Sequence, residues 1–181
     1  TDPSTVPVQV MMEAVVGNPI PLEGVVQIAA GGTFSVAVTK TGDVYVWGDG
    51  RNGQAGGGVV SADPIVAAQL AGSSSTIGSG AQNAYVVDIA ASGEYAEASG
   101  AGEQLSPGHV VALTLDPSVN TTKVWGWGNN SQGEVGNDNT NSPQVTPQSL
   151  KWIDAAQSTS VVHVAAGYQH SIAITKKGDS F

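Results

Sequence analysis

The sequence has 181 residues, no cysteine, and 6 Lys and Arg against 15 Asp and Glu, which gives a formal net charge of -9. This length favours one domain, and the lack of cysteine excludes a disulfide framework and a thiolate site. The acidic balance opposes nucleic acid and anionic membrane surfaces as partners, because both require a basic surface. No apolar stretch approaches the roughly 20 residues that cross a membrane, so we predict no membrane insertion.

The first predicted elements are one edge strand and three inner strands. Segment 7–10, PVQV, is extended, and Pro is tolerated on edge strands but not on central ones. Three blocks follow it: VVQIAAG at 25–31, FSVAVT at 34–39 and DVYVWG at 43–48. Each block is short, β-branched or aromatic, and bounded by Gly or Asp, which is typical of a strand.

The same elements then recur in the same order. The second set comprises a Pro-containing stretch at 64–66, VVDIAAS at 86–92, HVVALT at 109–114 and KVWGWG at 123–128. The third set comprises a Pro-containing stretch at 143–145, VVHVAAG at 161–167 and HSIAIT at 170–175. The second set also holds an insertion at 93–108. We delimit repeats at about 6–58, 64–139 and 143–181 within one incomplete domain, 1–181. Several short strands per repeat are the signature of propeller blades.

Side-chain alternation predicts how the blades pack. Successive side chains on a strand point to opposite faces, so Phe34, Val36 and Val38 share one face and Ala37 lies on the other. A small residue at one depth of each repeat suits close sheet stacking. The large Trp side chains of the third block would fill the wider, outer part of the wedge between sheets.

The order VAAG, G-x-x-H-S-x-A-x-T, G-D-V-Y-x-W-G and N-x-x-G-Q-x-G resembles the repeat of the regulator-of-chromosome-condensation family. The bacterial α-tubulin-suppressor-like members are similar, and the resemblance covers Pro7 to Phe181. It implies a propeller, usually seven-bladed, with four-stranded blades. Phe34 and Ser92 depart from the usual His and Gly. The structural repeat positions that the resemblance implies are Gly31, Phe34, Trp47, Gly48, His109, Trp127, Gly128, Gly167 and His170.

We therefore predict an all-β fold of four-stranded antiparallel blades, forming a partial propeller of two to three blades rather than a closed ring. Phe181 aligns with Tyr45, so the last residue falls inside a third strand. An open arc exposes two apolar blade faces and unpaired edges, which repeat proteins normally cap or close. Either the chain is a piece of a longer protein, or other chains cover these faces. In both cases we expect the 181-residue polypeptide to associate.

The three histidines do not form a metal-ligand pattern. His109 and His170 share the repeat column of Phe34, and we expect equivalent residues of different blades to lie far apart. They are interpreted as buried histidines bonded to backbone. His163 shares a polar column with Gln27 and Asp88 and is expected to be partly exposed.

Other candidate chemistry is also interpreted structurally. Acidic residues in the insertion, or the turn 137–139, offer hard oxygen ligands for Ca²⁺, but neither matches a known calcium loop. The glycines at 48, 50, 53 and 56 partly recur at 128, 133 and 136, which indicates a repeated turn rather than a phosphate loop. No Gly-x-Ser-x-Gly elbow is present. We predict no enzyme activity, no cofactor and no metal site.

The sequence favours a non-catalytic protein-interaction or structural scaffold, as part of a larger secreted or surface protein, although a cytoplasmic location is compatible. The partner is another protein or copies of the chain itself. A self-assembling subunit of an extracellular filament or surface layer is the main alternative. A nucleotide-exchange regulator of a small GTPase is a weaker one, because the family's contact residues cannot be matched here. The candidate partner contacts lie in the insertion: Glu94, Tyr95, Glu97, Glu103 and Gln104. Deleting 94–107 should leave folding intact and weaken association.

Overall fold

The computed structural model describes residues 6–15, 18–57, 61–69, 77, 84–93, 107–150 and 161–181, and every regular element in these ranges is a β-strand. None of these ranges contains a helix long and apolar enough to cross a membrane. The strands are β1 Met11–Val15, β2 Asn18–Pro21, β3 Val25–Ala30, β4 Phe34–Thr39, β5 Val44–Gly50, β6 Ser61–Gln69, β7 Tyr85–Gly93, β8 Gly108–Asp116, β9 Thr121–Gly128, β10 Gln144–Ser149, β11 Val161–Gly167 and β12 His170–Thr175. The all-β prediction is confirmed.

The strands form two four-stranded blades and part of a third. Blade 1 is the antiparallel run β3-β4-β5-β6, blade 2 is β7-β8-β9-β10, and blade 3 is the pair β11-β12. The hairpin β1-β2 joins the outer edge of blade 1 through one parallel pair, Met12 with Ala67, so that sheet has six strands in all. The predicted partial propeller is therefore the observed architecture.

The Pro-containing outer strands belong to the blade that precedes them. Segment 64–66 lies in β6, which pairs with β5, and Gln144 of β10 pairs with Gly128 of β9. The sheets therefore group 25–69 and 85–149, one strand out of step with the repeats delimited from the sequence. The sequence pattern predicts that these segments are edge strands. It does not predict whether each one pairs with the preceding or the following blade, because the pairing is made by backbone hydrogen bonds that do not depend on the side chains.

The core lies between blades, as the alternation predicts. One face of β4, with Phe34, Val36 and Val38, packs in one buried cluster with Ile89 and Trp127 of blade 2. A second cluster joins the other face of blade 2 to blade 3 through Val111, Leu113, Val124, Leu150, Val161, Val164 and Ala173. Blade 2 thus buries both faces, blades 1 and 3 each bury one, and the stability of the fold comes from the contacts between blades.

A repeated glycine lies at or near the end of the third strand of each complete blade. Gly48 and Gly128 have φ values of 101° and 104°, in the region that side chains rarely adopt. A Cβ at either residue would lie 2.5 Å from a backbone oxygen, of Thr33 and Gly108 respectively. This geometry fits the repeated turn that the sequence predicts.

Candidate functional site

In each complete blade, the connection between the first and second strands and the connection between the third and fourth strands lie at the same end. Phe34 pairs with Gly48 and His109 pairs with Gly128, so the hairpin turn and the long turn of each blade are side by side. We call this end the turn face; it comprises segments 31–33, 49–57 and 129–143 and the described ends of the insertion, Gly93 and 107–108. The opposite end carries the hairpin 117–120 between β8 and β9.

The insertion leaves from the turn face. Its ends are the cross-strand pair Gly93 and Gly108, and the carbonyl of Gly108 accepts the Asn129 N–H at 2.8 Å. A Cβ at Gly93 would lie 3.1 Å from the backbone nitrogen of Gly32, in the short turn of blade 1. The candidate contacts lie outside the described residues: Glu94, Tyr95, Glu97, Glu103 and Gln104. The described ends of the insertion, Gly93 and Gly108, lie beside the short turn of blade 1 and the long turn of blade 2.

The long turn of blade 2 is fixed by one buried amide. Asn130 donates through Nδ2 to the carbonyls of Asn139 and Asn141 at 2.9 and 3.2 Å and to Asn137 Oδ1 at 3.2 Å. Its Oδ1 accepts the Val135 N–H at 2.9 Å. Its two amide hydrogens and its oxygen thus contact four different residues, which holds the turn in a single shape.

The long turn of blade 1 is held by an ion pair at its start. Arg51 Nη2 lies 2.8 Å from Asp49 Oδ2, and the Arg51 N–H also donates to this carboxylate at 2.9 Å. Burial raises the pKa of Asp49, but the hydrogen bonds and charge of Arg51 outweigh it and hold that pKa below its usual value. The pair is a structural feature of the turn.

The two turns use a buried side chain in the same way. Gln54 Oε1 accepts the Asn52 N–H at 2.7 Å, and at the matching position Glu134 Oε2 accepts the Gln132 N–H at 2.8 Å. Because a neutral amide serves in one turn where a carboxylate serves in the other, Glu134 closes a turn and does not mark a catalytic acid.

Two of the three side chains considered for calcium in this turn make hydrogen bonds within the turn itself. Asn137 Oδ1 accepts from Asn130, and Asn139 Oδ1 accepts the Asn141 N–H at 2.9 Å. Asp138 is exposed. Across the described part of the chain, no three His, Asp or Glu residues are grouped so that they could hold a metal ion. The acidic residues of the insertion lie outside that part.

His109 and Ser171 form the contact that most resembles catalytic geometry. His109 is 1% exposed, and its Nε2 lies 3.1 Å from Ser171 Oγ. The hydroxyl proton is directed at the Glu134 carbonyl, 2.6 Å away, so the imidazole N–H donates to Ser171. Burial lowers the pKa of His109, the charge of Glu134 opposes that shift, and Nδ1 has no partner. A base without a free lone pair at the serine and without an orienting acid does not activate a nucleophile.

One expectation about the histidine column is wrong. His109 is buried, as expected, and contacts the Ser171 side chain, but His170 is exposed. His170 lies on the face of blade 3 that points away from blade 2, so no described blade covers it.

The expectation that equivalent residues of different blades lie far apart is also wrong. Gln27 Nε2 donates to Asp88 Oδ1 at 2.8 Å, and His163 Nδ1 contacts Asp88 Oδ2. The Val164 N–H donates to the same carboxylate at 2.9 Å. We call Gln27, Asp88 and His163 the inner column. The first strands of the blades converge, so one column becomes a chain of contacts across three blades. Asp88 is buried, whereas the His163 side chain is 69% exposed, as the sequence predicts.

The other repeat positions hold the blades' own shape. A Cβ at Gly31 or Gly167 would lie 2.1 or 2.2 Å from the ring of Phe34 or His170, so these rings need glycine beneath them. Trp127 is fully buried and donates its indole N–H to the Gln54 carbonyl of blade 1 at 2.9 Å. The sequence analysis did not predict this hydrogen bond between blades. Its only signal in the sequence is that Trp127 and Gln54 both lie at positions that recur in the repeats.

Comparison with known proteins gives the same assignment. Residues 25–54 and 123–174 match the family described as the regulator of chromosome condensation (RCC1) repeat. The E3 ubiquitin-protein ligase HERC2 of Homo sapiens is 33% identical over 157 residues, which cover 87% of this chain and 3% of HERC2. The ultraviolet-B receptor UVR8 of Arabidopsis thaliana is 29% identical over 187 residues, which cover 85% of this chain and 40% of UVR8.

A solved structure has the same fold. Prp20p from Saccharomyces cerevisiae superposes with a TM-score of 0.60 at 22% identity, covering 91% of this chain and 34% of Prp20p. The chain thus spans less than half the length of each of these proteins. The two matched repeats agree with the propeller blades of the structure, and this chain belongs to the regulator-of-chromosome-condensation repeat family.

Proposed function

We propose that the chain is a non-catalytic protein-interaction scaffold that contacts its partner through the turn face. The observation that carries this proposal is the anchoring of the insertion: Gly93 and Gly108 start and end it beside the turns of both complete blades. Loops held by a rigid scaffold are where binding function concentrates.

The turns supply a rigid base for binding. The polar groups of Asn130, Gln54 and Glu134 are directed into their own turns, so the backbone shape of the turn face is set before a partner arrives. A preformed surface loses less conformational entropy on binding than a flexible one.

The chemistry of the insertion indicates the kind of partner. It contributes three Glu and one Tyr to a chain of net charge -9. Opposite charge steers association, and Tyr is enriched at interfaces, so the partner surface should be basic and belong to a protein. The structure of Prp20p was determined together with its binding properties to Gsp1p and histones, so a relative of this fold binds proteins.

The proposed location rests on composition alone. The charged fraction is only 12%, and a surface poor in charge and rich in small residues suits a secreted or surface protein. We place the scaffold there as part of the proposal. No described contact favours nucleotide exchange on a GTPase.

The test is site-specific cross-linking from the two ends of the blade. A photo-reactive amino acid at Tyr95 should capture a specific protein from extracts of the source cells, and the same group at Val119, 63% exposed on the opposite hairpin, should not. A second group at Ser131, exposed in the long turn of blade 2, should capture the same protein from the intact chain but not after deletion of 94–107. The deletion leaves a turn of the length found in blade 1 and should leave the unfolding temperature nearly unchanged. Equal capture from Tyr95 and Val119, or capture from Ser131 that survives the deletion, would contradict the proposal.

A further inference from the structure

Blades 1 and 3 each expose one face, whereas blade 2, which lies between them, buries both of its faces. We call the face of blade 1 that points away from blade 2 the leading face, with Ile28, Ser35 and Trp47. We call the face of blade 3 that points away from blade 2 the trailing face, with His170, Ile172 and Ile174. Both follow from alternation, since the intervening residues pack in the interblade clusters.

The leading face is apolar and open. Ile28 is 75% exposed, whereas Ile89 and Val164, which hold the same column in blades 2 and 3, are 6% and 5% exposed. Trp47 is partly exposed, whereas its counterpart Trp127 is fully buried. A cavity of about 170 Å³ lies on blade 1, lined by Ile28, Ala29, Ala30, Ser35, Val36 and Trp47.

The trailing face is the matching half. Ile172 is 38% exposed, whereas Val36 and Val111 in the same column are 0% and 1% exposed. Ile174 is 39% exposed. In blades 1 and 2, the corresponding face contributes aliphatic side chains of similar size to the core between blades.

The interfaces inside the molecule show what fits these faces. Between blades 1 and 2, the trailing residues Val36 and Val38 pack in one cluster with the leading residues Ile89, Ala112 and Trp127. Between blades 2 and 3 the same columns meet again, through Val111, Leu113, Val164 and Ala173. Trailing meets leading at both steps, so the open faces continue an established series of interfaces.

We propose that the trailing face of one chain docks on the leading face of a second copy, so that Ile172 and Ile174 cover the groove beside Ile28 and Trp47. The two faces differ, so the contact is head-to-tail and leaves one face of each kind free at the ends of the assembly. It closes as a ring or grows as a filament, according to the rotation at each step. None of the six residues that define the two faces carries a carboxylate, whereas the whole chain has a net charge of -9. Added salt should therefore strengthen association, because it screens the repulsion between the two negatively charged chains.

The test measures mass by light scattering after size exclusion, across a wide range of concentrations. The wild-type chain should exceed monomer mass as concentration rises. Ile28→Lys and Ile172→Lys should each weaken association by about tenfold or more, because each buries an unpaired charge in the contact. Val119→Lys is the control, at an apolar residue that is 63% exposed in the hairpin 117–120, and should associate like wild type.

Mixing the two interface variants distinguishes the geometry. The intact trailing face of Ile28→Lys should dock on the intact leading face of Ile172→Lys, giving a dimer that does not grow, at concentrations where each variant alone stays monomeric. Circular dichroism and thermal unfolding check that each variant is folded. A wild-type monomer at all concentrations, self-association of either variant alone at wild-type strength, or no complex in the mixture would each overturn the proposal. These outcomes are independent of the turn face and its partner.

Discussion

The covered interface between blades 1 and 2 and the open leading face of blade 1 are built from the same repeat columns in opposite environments. Ile89 is 6% exposed in the first, and Ile28 is 75% exposed in the second. Trp127 donates to a backbone carbonyl of the neighbouring blade, and Trp47 lines an open groove. The position in the repeat determines the type of side chain. The presence or absence of a neighbouring blade determines whether that side chain is buried and stabilises the fold or is exposed and can bind another surface.

The largest expected difference is between the two tryptophans. Trp127→Ala removes a fully buried side chain and its hydrogen bond to Gln54, and should lower the free energy of unfolding by about 3–5 kcal/mol. Trp47→Ala should cost about 1 kcal/mol or less, because this side chain already contacts solvent. Urea unfolding followed by far-ultraviolet circular dichroism measures both. Similar losses for the two variants would mean that the leading face is covered.

The inner column gives a smaller contrast within one cluster. Asp88→Ala leaves the buried N–H groups of Val164 and Ile89 without their acceptor and should cost on the order of 1–3 kcal/mol for each group. His163→Ala removes a side chain that is 69% exposed and should cost much less. Equal decreases in the free energy of unfolding for the two variants would mean that the Asp88 carboxylate does not stabilise the contact between blades.

His109 gives the smallest effect, seen as a pH dependence. Burial lowers its pKa, so between its folded-state pKa and about 6.5 the unfolded chain binds a proton that the folded chain does not. The free energy of unfolding should therefore fall as pH drops below about 6.5, through this group, and be unaffected above it. His109→Phe, the side chain that blade 1 has at Phe34, removes this contribution. Urea unfolding at about pH 7.5 and about pH 5.5 should show a smaller loss for the variant than for wild type; equal losses would contradict the assignment.

The sequence predicts the strands and their faces well, because alternation and repetition are local signals. Phe34, Val36 and Val38 share a face and are buried, as predicted. What the sequence missed depends on distances between blades. The contacts of Asp88 with Gln27 and His163 need the convergence of inner strands, which no single repeat encodes.

The candidate site was predicted less completely than the fold. The repeat columns that hold His109 and His170 are visible in the sequence, but their opposite environments are not, because burial comes from the adjacent blade. The insertion was recognised as a departure from the repeat, and the structure adds its anchors at Gly93 and Gly108. Its partner contacts stay a prediction.

Hydrogen exchange at the indole N–H groups tests most directly whether interblade contacts, rather than the repeat columns themselves, protect these side chains. In nuclear magnetic resonance spectra recorded below the concentration at which the chain associates, the Trp127 indole should exchange slowly, because it is buried and bonded to Gln54. The Trp47 indole, on the open face, should exchange much faster. Equal exchange rates for the two indoles would contradict the account.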